Sequence, residues 1–178
     1  MIKYYTHQKY LKRELDNLKD GSLILELGIG HGSCPLMYEY CKKNPNSIVT
    51  GFETDAEWFT NMHNEYGDLA NYNINSINTW EDLKNYINKD KYDLIFVDQA
   101  PWEARIESID FLKDRCDLFI LHDYDYFNKP QHSWVSKGPN SIYINDDSSW
   151  LGQKYGEEFV LEDNYKLLPP TLVMRKKQ

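Results

Sequence analysis

Three side chains that can carry acid–base or metal chemistry follow two apolar segments of the chain. Asp98 ends the segment at 92–98, and His122 with Asp123 ends the segment at 116–123. Carboxylates combined with an imidazole or water suit a hard divalent ion such as Mg²⁺. Such an ion lowers the pKa of a bound hydroxyl and fixes it for attack. We therefore take these residues as candidate catalytic and metal-ligating groups, with His122 as an alternative general base.

Alternating strands and helices place these residues at one edge of a sheet. Apolar runs predict strands at 22–27, 47–53, 72–77, 92–98, 116–123, 158–162 and 171–176. Helical spacing and capping residues predict helices at about 6–19, 33–43, 55–67, 79–88 and 148–155, and another that begins at Pro101. The pattern predicts an α/β fold with one doubly wound, mostly parallel sheet, closed by an antiparallel pair. Ligands of such folds bind at the carboxyl ends of the strands.

Composition limits the class of protein. The 178 residues suit a single domain, and a hydrophobic content of 41% suits a packed core. A formal net charge of −8 argues against a nucleic acid partner, since such binding needs basic side chains. The first residues contain no apolar run, so we expect no secretory signal and no membrane span. Three cysteines without CxxC spacing predict buried, reduced thiols in a cytoplasmic protein.

One irregular segment interrupts the alternation. The domain spans 1–178, with an N-terminal helix within 1–21 and an irregular stretch at 124–147. A connection of this length in a compact domain is usually functional, so we expect a substrate loop or lid there. Its aromatic residues, Tyr124 and Trp134 among them, could stack on a sugar ring or a base.

The segment LILELGIGHGSC (23–34) predicts a strand, a glycine turn and a helix that together hold a nucleotide. Gly28, Gly30 and Gly32 form G-x-G-x-G, whereas a dinucleotide site needs its third small residue one position later. Glu26 would repel a pyrophosphate and would suit a ligand with an ammonium group. Glu53, at the end of the second strand, can accept hydrogen bonds from both ribose hydroxyls.

These motifs together resemble the class I S-adenosylmethionine (SAM)-dependent methyltransferases. The resemblance rests on ELGIGHG, on GFE and on the strand that ends in Asp98. It implies a seven-stranded Rossmann-like sheet of order 3-2-1-4-5-7-6. It also implies that Glu26 and the turn glycines hold the methionine part of SAM, that Glu53 holds the ribose, and that Asp98 contributes to the cofactor site. Ser76 and Ile77 would flank the adenine.

The residues after strands four and five are similar to those of metal-dependent small-molecule O-methyltransferases, including enzymes that act on sugars. This resemblance implies SAM and Mg²⁺ or another divalent ion as cofactors, with Asp98, His122 and Asp123 as metal ligands. The acceptor would be a small hydroxylated metabolite such as a nucleotide-linked sugar. We expect Trp102, Arg105, Tyr124 and Trp134 near the substrate, although Arg105 could instead pair with a nearby carboxylate. The sequence leaves a homo-oligomer open.

Other functions stay open at this point. The stretch Asp98-Gln-Ala-Pro-Trp102 is similar to the Asp-Pro-Pro-Trp/Tyr signature of amino-methylating enzymes, with one more residue and one proline fewer. Methyl transfer could also proceed without a metal, with His122 or Asp123 as the base. Outside this class, an NAD-dependent oxidoreductase and a non-catalytic cofactor-binding protein remain alternatives.

Overall fold

The computed structural model describes residues 5–87, 89–124, 150–163 and 169–178, except for the side chains of Trp102, Trp150 and Asp163. Its strands are β1 (Leu23–Leu27), β2 (Ile48–Glu53), β3 (Tyr72–Ser76), β4 (Leu94–Val97), β5 (Leu118–His122), β6 (Phe159–Asp163) and β7 (Thr171–Lys176). Its helices are α1 (Gln8–Asn17), α2 (Cys34–Lys43), α3 (Ala56–Tyr66), α4 (Leu83–Tyr86), α5 (Trp102–Leu112) and α6 (Trp150–Tyr155).

The strands form one seven-stranded sheet of order β3-β2-β1-β4-β5-β7-β6, which confirms the predicted fold class. The first five strands in this order pair in parallel. β7 runs antiparallel to both β5 and β6, as the closing pair was expected to do. The carboxyl ends of β1, β2, β4 and β5 therefore lie along one edge, where the candidate residues follow.

Both faces of the central strands are buried, which explains their continuous apolar sequences. In β4, Ile95 and Val97 join one apolar core, while Leu94 and Phe96 join the other. The first core also takes residues of α4, α5 and α6, and the second takes residues of α1, α2 and α3. Cys34, Cys41 and Cys116 are buried within these cores, as expected.

Capping residues define the helix ends. The Asp55 carboxylate accepts the Trp58 N–H at 2.8 Å and begins α3, as predicted. The helix expected over 79–88 is shorter than predicted: a 3₁₀ turn at Trp80–Asp82 precedes the single turn of α4. The Asp82 N–H donates to the Thr79 carbonyl at 3.2 Å, which closes the 3₁₀ turn, and the Asp82 carboxylate accepts the Thr79 N–H at 3.2 Å in a capping box. None of the described helices has the length and apolar character that crossing a bilayer requires.

Candidate functional site

The glycine turn packs directly on the end of β4. Gly28 has a φ of +83°, and its N–H donates to the Phe52 carbonyl at 3.0 Å. A Cβ on Gly28 would lie 2.5 Å from the Asp98 carbonyl oxygen. Only glycine combines this left-handed conformation with so close an approach of two backbones. The turn therefore brings the start of α2 against the residues that follow β4.

The early third glycine makes room for a histidine from the N-terminus. A Cβ on Gly32 would lie 2.6 Å from two ring atoms of His7. His7 immediately precedes α1, and its imidazole contacts the ring of Phe96 at a centroid distance of 5.1 Å. Gly32 is the glycine that departs from the dinucleotide pattern, and the His7 imidazole lies directly over it.

Glu53 lies at the surface of the cleft that the turn creates. Its Oε1 accepts the N–H groups of Thr54 at 2.8 Å and Asp55 at 3.0 Å. Burial raises the pKa of Glu53, although these hydrogen bonds favour the charged form. Its Oε2 has no hydrogen bond to any residue that the structure describes, so this oxygen is available to a ligand.

Glu26, expected from the sequence near the ammonium group of a ligand, lies beneath the turn. It is completely buried and is not among the residues that line the cleft. Tyr72 on β3 donates its hydroxyl to Glu26 Oε2 at 2.6 Å. Burial raises the pKa of Glu26 to about 7. The side chain is directed into the sheet's second core because β1 alternates its residues between the two faces.

Asp98 and His122 meet where β4 and β5 end, as their predicted positions required. His122 Nδ1 lies 3.0 Å from Asp98 Oδ1, and an Arg105 guanidinium nitrogen lies 3.1 Å from the same oxygen. Burial alone would raise the pKa of Asp98, but the charges of His122 and Arg105 outweigh it and lower the pKa. His122 Nε2 lies 3.4 Å from the Thr6 hydroxyl, which itself donates to the Pro169 carbonyl.

Arg105 resolves one alternative left open by the sequence. Its guanidinium is buried, pairs with Asp98, and donates to the carbonyl oxygens of Gln99 and His122. These bonds tie the ends of β4 and β5 together. The pairing role is therefore observed, and the side chain is not among those that line the cleft.

His7 completes this group, and sequence reasoning had missed it. One donor atom each from His7, Asp98 and His122 lies within 4.8 Å of the other two. The rings of His7 and His122 meet edge to face at a centroid distance of 4.3 Å. Burial, reinforced by the charge of His122, lowers the pKa of His7 to about 3, so its imidazole is neutral. No periodicity or motif near the N-terminus marks this long-range contact.

The structure places the other predicted residues around this group. Asp123 adopts a left-handed φ of 55°, and its N–H donates to the Pro170 carbonyl at 2.8 Å. Asp123 does not belong to the three-residue donor group found among the described residues. Tyr124 is 1% exposed in the first apolar core, so it packs inside the protein and is not displayed to a substrate.

The remaining predicted residues lie away from the cleft lining or outside the described residues. Ser76 is exposed and Ile77 is buried, and neither lines the main cleft. The side chain of Trp102, all of Trp134 and the predicted lid beyond Tyr124 lie outside the described residues.

The cleft has a volume of about 620 Å³ and an acidic lining. Four carboxylates line it, from Glu53, Asp55, Glu57 and Asp98, and the described lining contains no lysine or arginine. Trp58, 39% exposed, stands at its rim and donates its indole N–H to the Ile29 carbonyl at 2.5 Å. Such a cleft favours a cationic ligand and disfavours a pyrophosphate, which would lie among four carboxylates with no lysine or arginine in the described lining.

Solved structures share this fold. The O-methyltransferase TomG of Streptomyces achromogenes, involved in tomaymycin synthesis and solved with SAM, is 13% identical with a TM-score of 0.66, covering 97% of this chain and 80% of its own. An rRNA methylase of Streptococcus thermophilus is 16% identical with a TM-score of 0.64, and the alignment covers 100% of this chain and 99% of the methylase. The methyltransferase PaMTH1 of Podospora anserina, bound to S-adenosylhomocysteine, is 15% identical with a TM-score of 0.63, and the alignment covers 97% of this chain and 78% of PaMTH1.

The strand order and these similarities confirm that the chain has the class I, Rossmann-like methyltransferase fold. No protein-family model and no curated protein sequence matches the chain. Identities of this size establish the fold alone, so the reaction has to be argued from the site itself.

Proposed function

We propose that this protein is a SAM-dependent methyltransferase that methylates a hydroxyl group of a small molecule, such as a nucleotide-linked sugar. The observation that carries the proposal is the acidic cleft at the glycine turn, which ends at the Asp98–His122 pair. SAM carries a sulfonium and an ammonium group, and both are attracted to such a lining. NAD would place its pyrophosphate against the same carboxylates.

Cofactor binding falls to the turn and to β2 in this proposal. Gly28, Gly30 and Gly32 line the cleft and form the turn against which the methionine part lies, and Glu53 Oε2 accepts the ribose hydroxyls. Glu26 acts from beneath, through the turn, because it has no surface in the cleft. Ser76 and Ile77 remain the proposed neighbours of the adenine.

His122 is the proposed general base. Asp98 orients its imidazole through the 3.0 Å contact at Nδ1, and Arg105 fixes Asp98 in turn. A base held by an orienting carboxylate is the arrangement that proton abstraction from a hydroxyl requires. The contact of Nε2 with Thr6 is long, at 3.4 Å, so this nitrogen can take up a proton from the acceptor. In the metal-assisted alternative that the sequence predicts, a divalent ion held by Asp98, His122 and Asp123 would acidify the hydroxyl, and His122 would then be a ligand in place of the base.

Titration calorimetry with SAM, S-adenosylhomocysteine and NAD tests the cofactor. We expect binding of the first two and none of NAD. Incubation of the protein with methyl-labelled SAM and pools of sugars, nucleotide sugars and phenols then tests the acceptor. NAD binding in the absence of SAM binding would refute the proposal.

A second candidate is methylation of a base in RNA. It is favoured by the similarity to the rRNA methylase and by the stretch that runs from Asp98 to Trp102. The net charge of −8 and the acidic lining oppose it, since RNA binding needs basic side chains. Transfer of label to purified total RNA, rather than to small molecules, would favour this candidate.

A further inference from the structure

We propose that His7, Asp98 and His122 form a binding site for a divalent metal ion that prefers nitrogen donors, such as Zn²⁺ or Co²⁺. The inference deepens the proposed function, because the group lies in the same cleft. It replaces the oxygen-rich set expected from the sequence with two imidazoles and one carboxylate. Mg²⁺ selects oxygen ligands, whereas imidazole suits zinc and the later first-row metals.

His7 is a buried polar group that lacks a partner. The residue is 2% exposed, and neither ring nitrogen has a hydrogen bond of acceptable geometry to any residue in the described part of the chain, although the Gly32 backbone lies close enough to act on the ring electrostatically. Burying a polar group without a partner costs free energy, so such groups are rare without a function. The ring lines the cleft and meets the His122 ring edge to face at a centroid distance of 4.3 Å, so both imidazoles face the same space.

Asp98 and Arg105 have the arrangement of a ligand and its support. Asp98 Oδ1 is taken by His122 and Arg105, while Oδ2 has no hydrogen bond to a residue that the structure describes. Metal-binding carboxylates are typically held by such outer hydrogen bonds. The guanidinium approaches Oδ1, so Oδ2 remains for a metal. The Asp98 side chain is 26% exposed toward solvent, which gives an ion a path of entry.

Three protein ligands in a cleft would leave a coordination position for a small molecule, as catalytic zinc sites do. A metal there would lower the pKa of a hydroxyl that occupies this position. Gly32 supports the site from the other side, because any larger residue would occupy the volume of the His7 ring.

Metal binding can be measured without a methyl acceptor. Untagged protein, stripped with a chelator, is titrated with Zn²⁺, Co²⁺ or Mg²⁺ by calorimetry, and the bound metal is counted by mass spectrometry. We expect one Zn²⁺ or Co²⁺ per chain and no comparable Mg²⁺ binding. His7→Gln and His122→Gln should each weaken Zn²⁺ binding by at least about a hundredfold.

Two variants serve as controls. His63→Gln removes an exposed histidine of α3 that is not among the residues lining the cleft, and should leave Zn²⁺ affinity unchanged. Asp123→Asn should do the same, because Asp123 is outside the donor group. Circular dichroism confirms the fold of each variant. His7→Cys gives a gain of signal: a thiolate ligand would add a near-ultraviolet charge-transfer band to the Co²⁺ spectrum.

Three results would overturn the site. The first is a folded wild type that binds neither Zn²⁺ nor Co²⁺, and the second is metal binding that survives His7→Gln while His7→Cys shows no new band. The third is Mg²⁺ binding that depends on Asp123 and not on His7. SAM binding is measured in parallel. Metal binding without SAM binding would contradict the proposed function alone, and SAM binding without metal binding would contradict this inference alone.

Discussion

Alanine at Gly28 should destabilise the protein strongly and alanine at Gly30 hardly at all, although both glycines lie in one turn. At Gly28 the left-handed φ of +83° costs an L-residue about 1–2 kcal/mol. The new Cβ would also lie 2.5 Å from the Asp98 carbonyl oxygen, and this backbone atom cannot rotate away. This clash would push the turn away from the end of β4 and add about 1–3 kcal/mol to the destabilisation. The free energy of unfolding should therefore fall by about 2–5 kcal/mol.

At Gly30 the backbone imposes no such cost. A Cβ there would meet the Trp58 indole at 3.6 Å, an ordinary van der Waals distance. Gly30→Ala should therefore change the free energy of unfolding by less than about 0.5 kcal/mol. Urea denaturation followed by circular dichroism measures both variants against the wild type. Equal stabilities for Gly28→Ala and Gly30→Ala would refute the argument that the turn packs on β4.

Three further predictions concern the charged residues of the site. Burial raises the pKa of Glu26 from 4.5 in the unfolded chain to about 7 in the folded protein. Between these two pH values the folded state holds a proton on Glu26 that the unfolded state has released. The free energy of unfolding therefore falls as the pH rises from about 4.5 to about 7. Glu26→Gln should therefore gain stability relative to the wild type between pH 5 and 8, by up to about 3 kcal/mol in urea denaturation, and a constant difference would contradict the burial argument. Glu53→Gln should weaken SAM binding about 10–100-fold in calorimetry, since a charged acceptor is lost, and unchanged affinity would remove Glu53 from the ribose site. His122→Gln should lower the methyl-transfer rate by about 10²–10⁴-fold while SAM still binds, and a rate near that of the wild type would exclude it as the base.

The fold could be predicted because its determinants are local. The central strands are continuously apolar, their helices carry caps such as Asp55, and the rule for parallel sheets then fixes where ligands bind. The meeting of Asp98 with His122 follows from the same rule, since β4 and β5 are neighbours. The capping residues Thr79 and Asp82 correctly marked where the helical segment begins, but not that its first turn is 3₁₀ or that α4 ends at Tyr86.

The surroundings of each candidate side chain were harder to foresee. The alternation along β1 turns Glu26 toward the second core, but its hydrogen-bond partner there, the Tyr72 hydroxyl, lies on another strand and is not marked by the local sequence. Tyr124 likewise turns into the core after the left-handed residue Asp123. The sequence allowed Arg105 either to bind the substrate or to pair with a carboxylate, and its bonds to Asp98 and to the His122 carbonyl decide for pairing.

His7 shows that the two ends of the chain build the site together. Helix α1 is held to the closing strands by Arg13, which pairs with Glu162 at 2.6 Å, and by Glu14, which pairs with Arg175 at 2.6 Å. The Thr6 hydroxyl lies 3.4 Å from His122 Nε2 and donates to the carbonyl of Pro169, two residues before β7 begins. Because these contacts place His7 over Gly32, the spacing of the glycine turn and the antiparallel closing strands are parts of one arrangement. Sequence patterns could mark the glycines, but only the docking of α1 explains why the third one comes early.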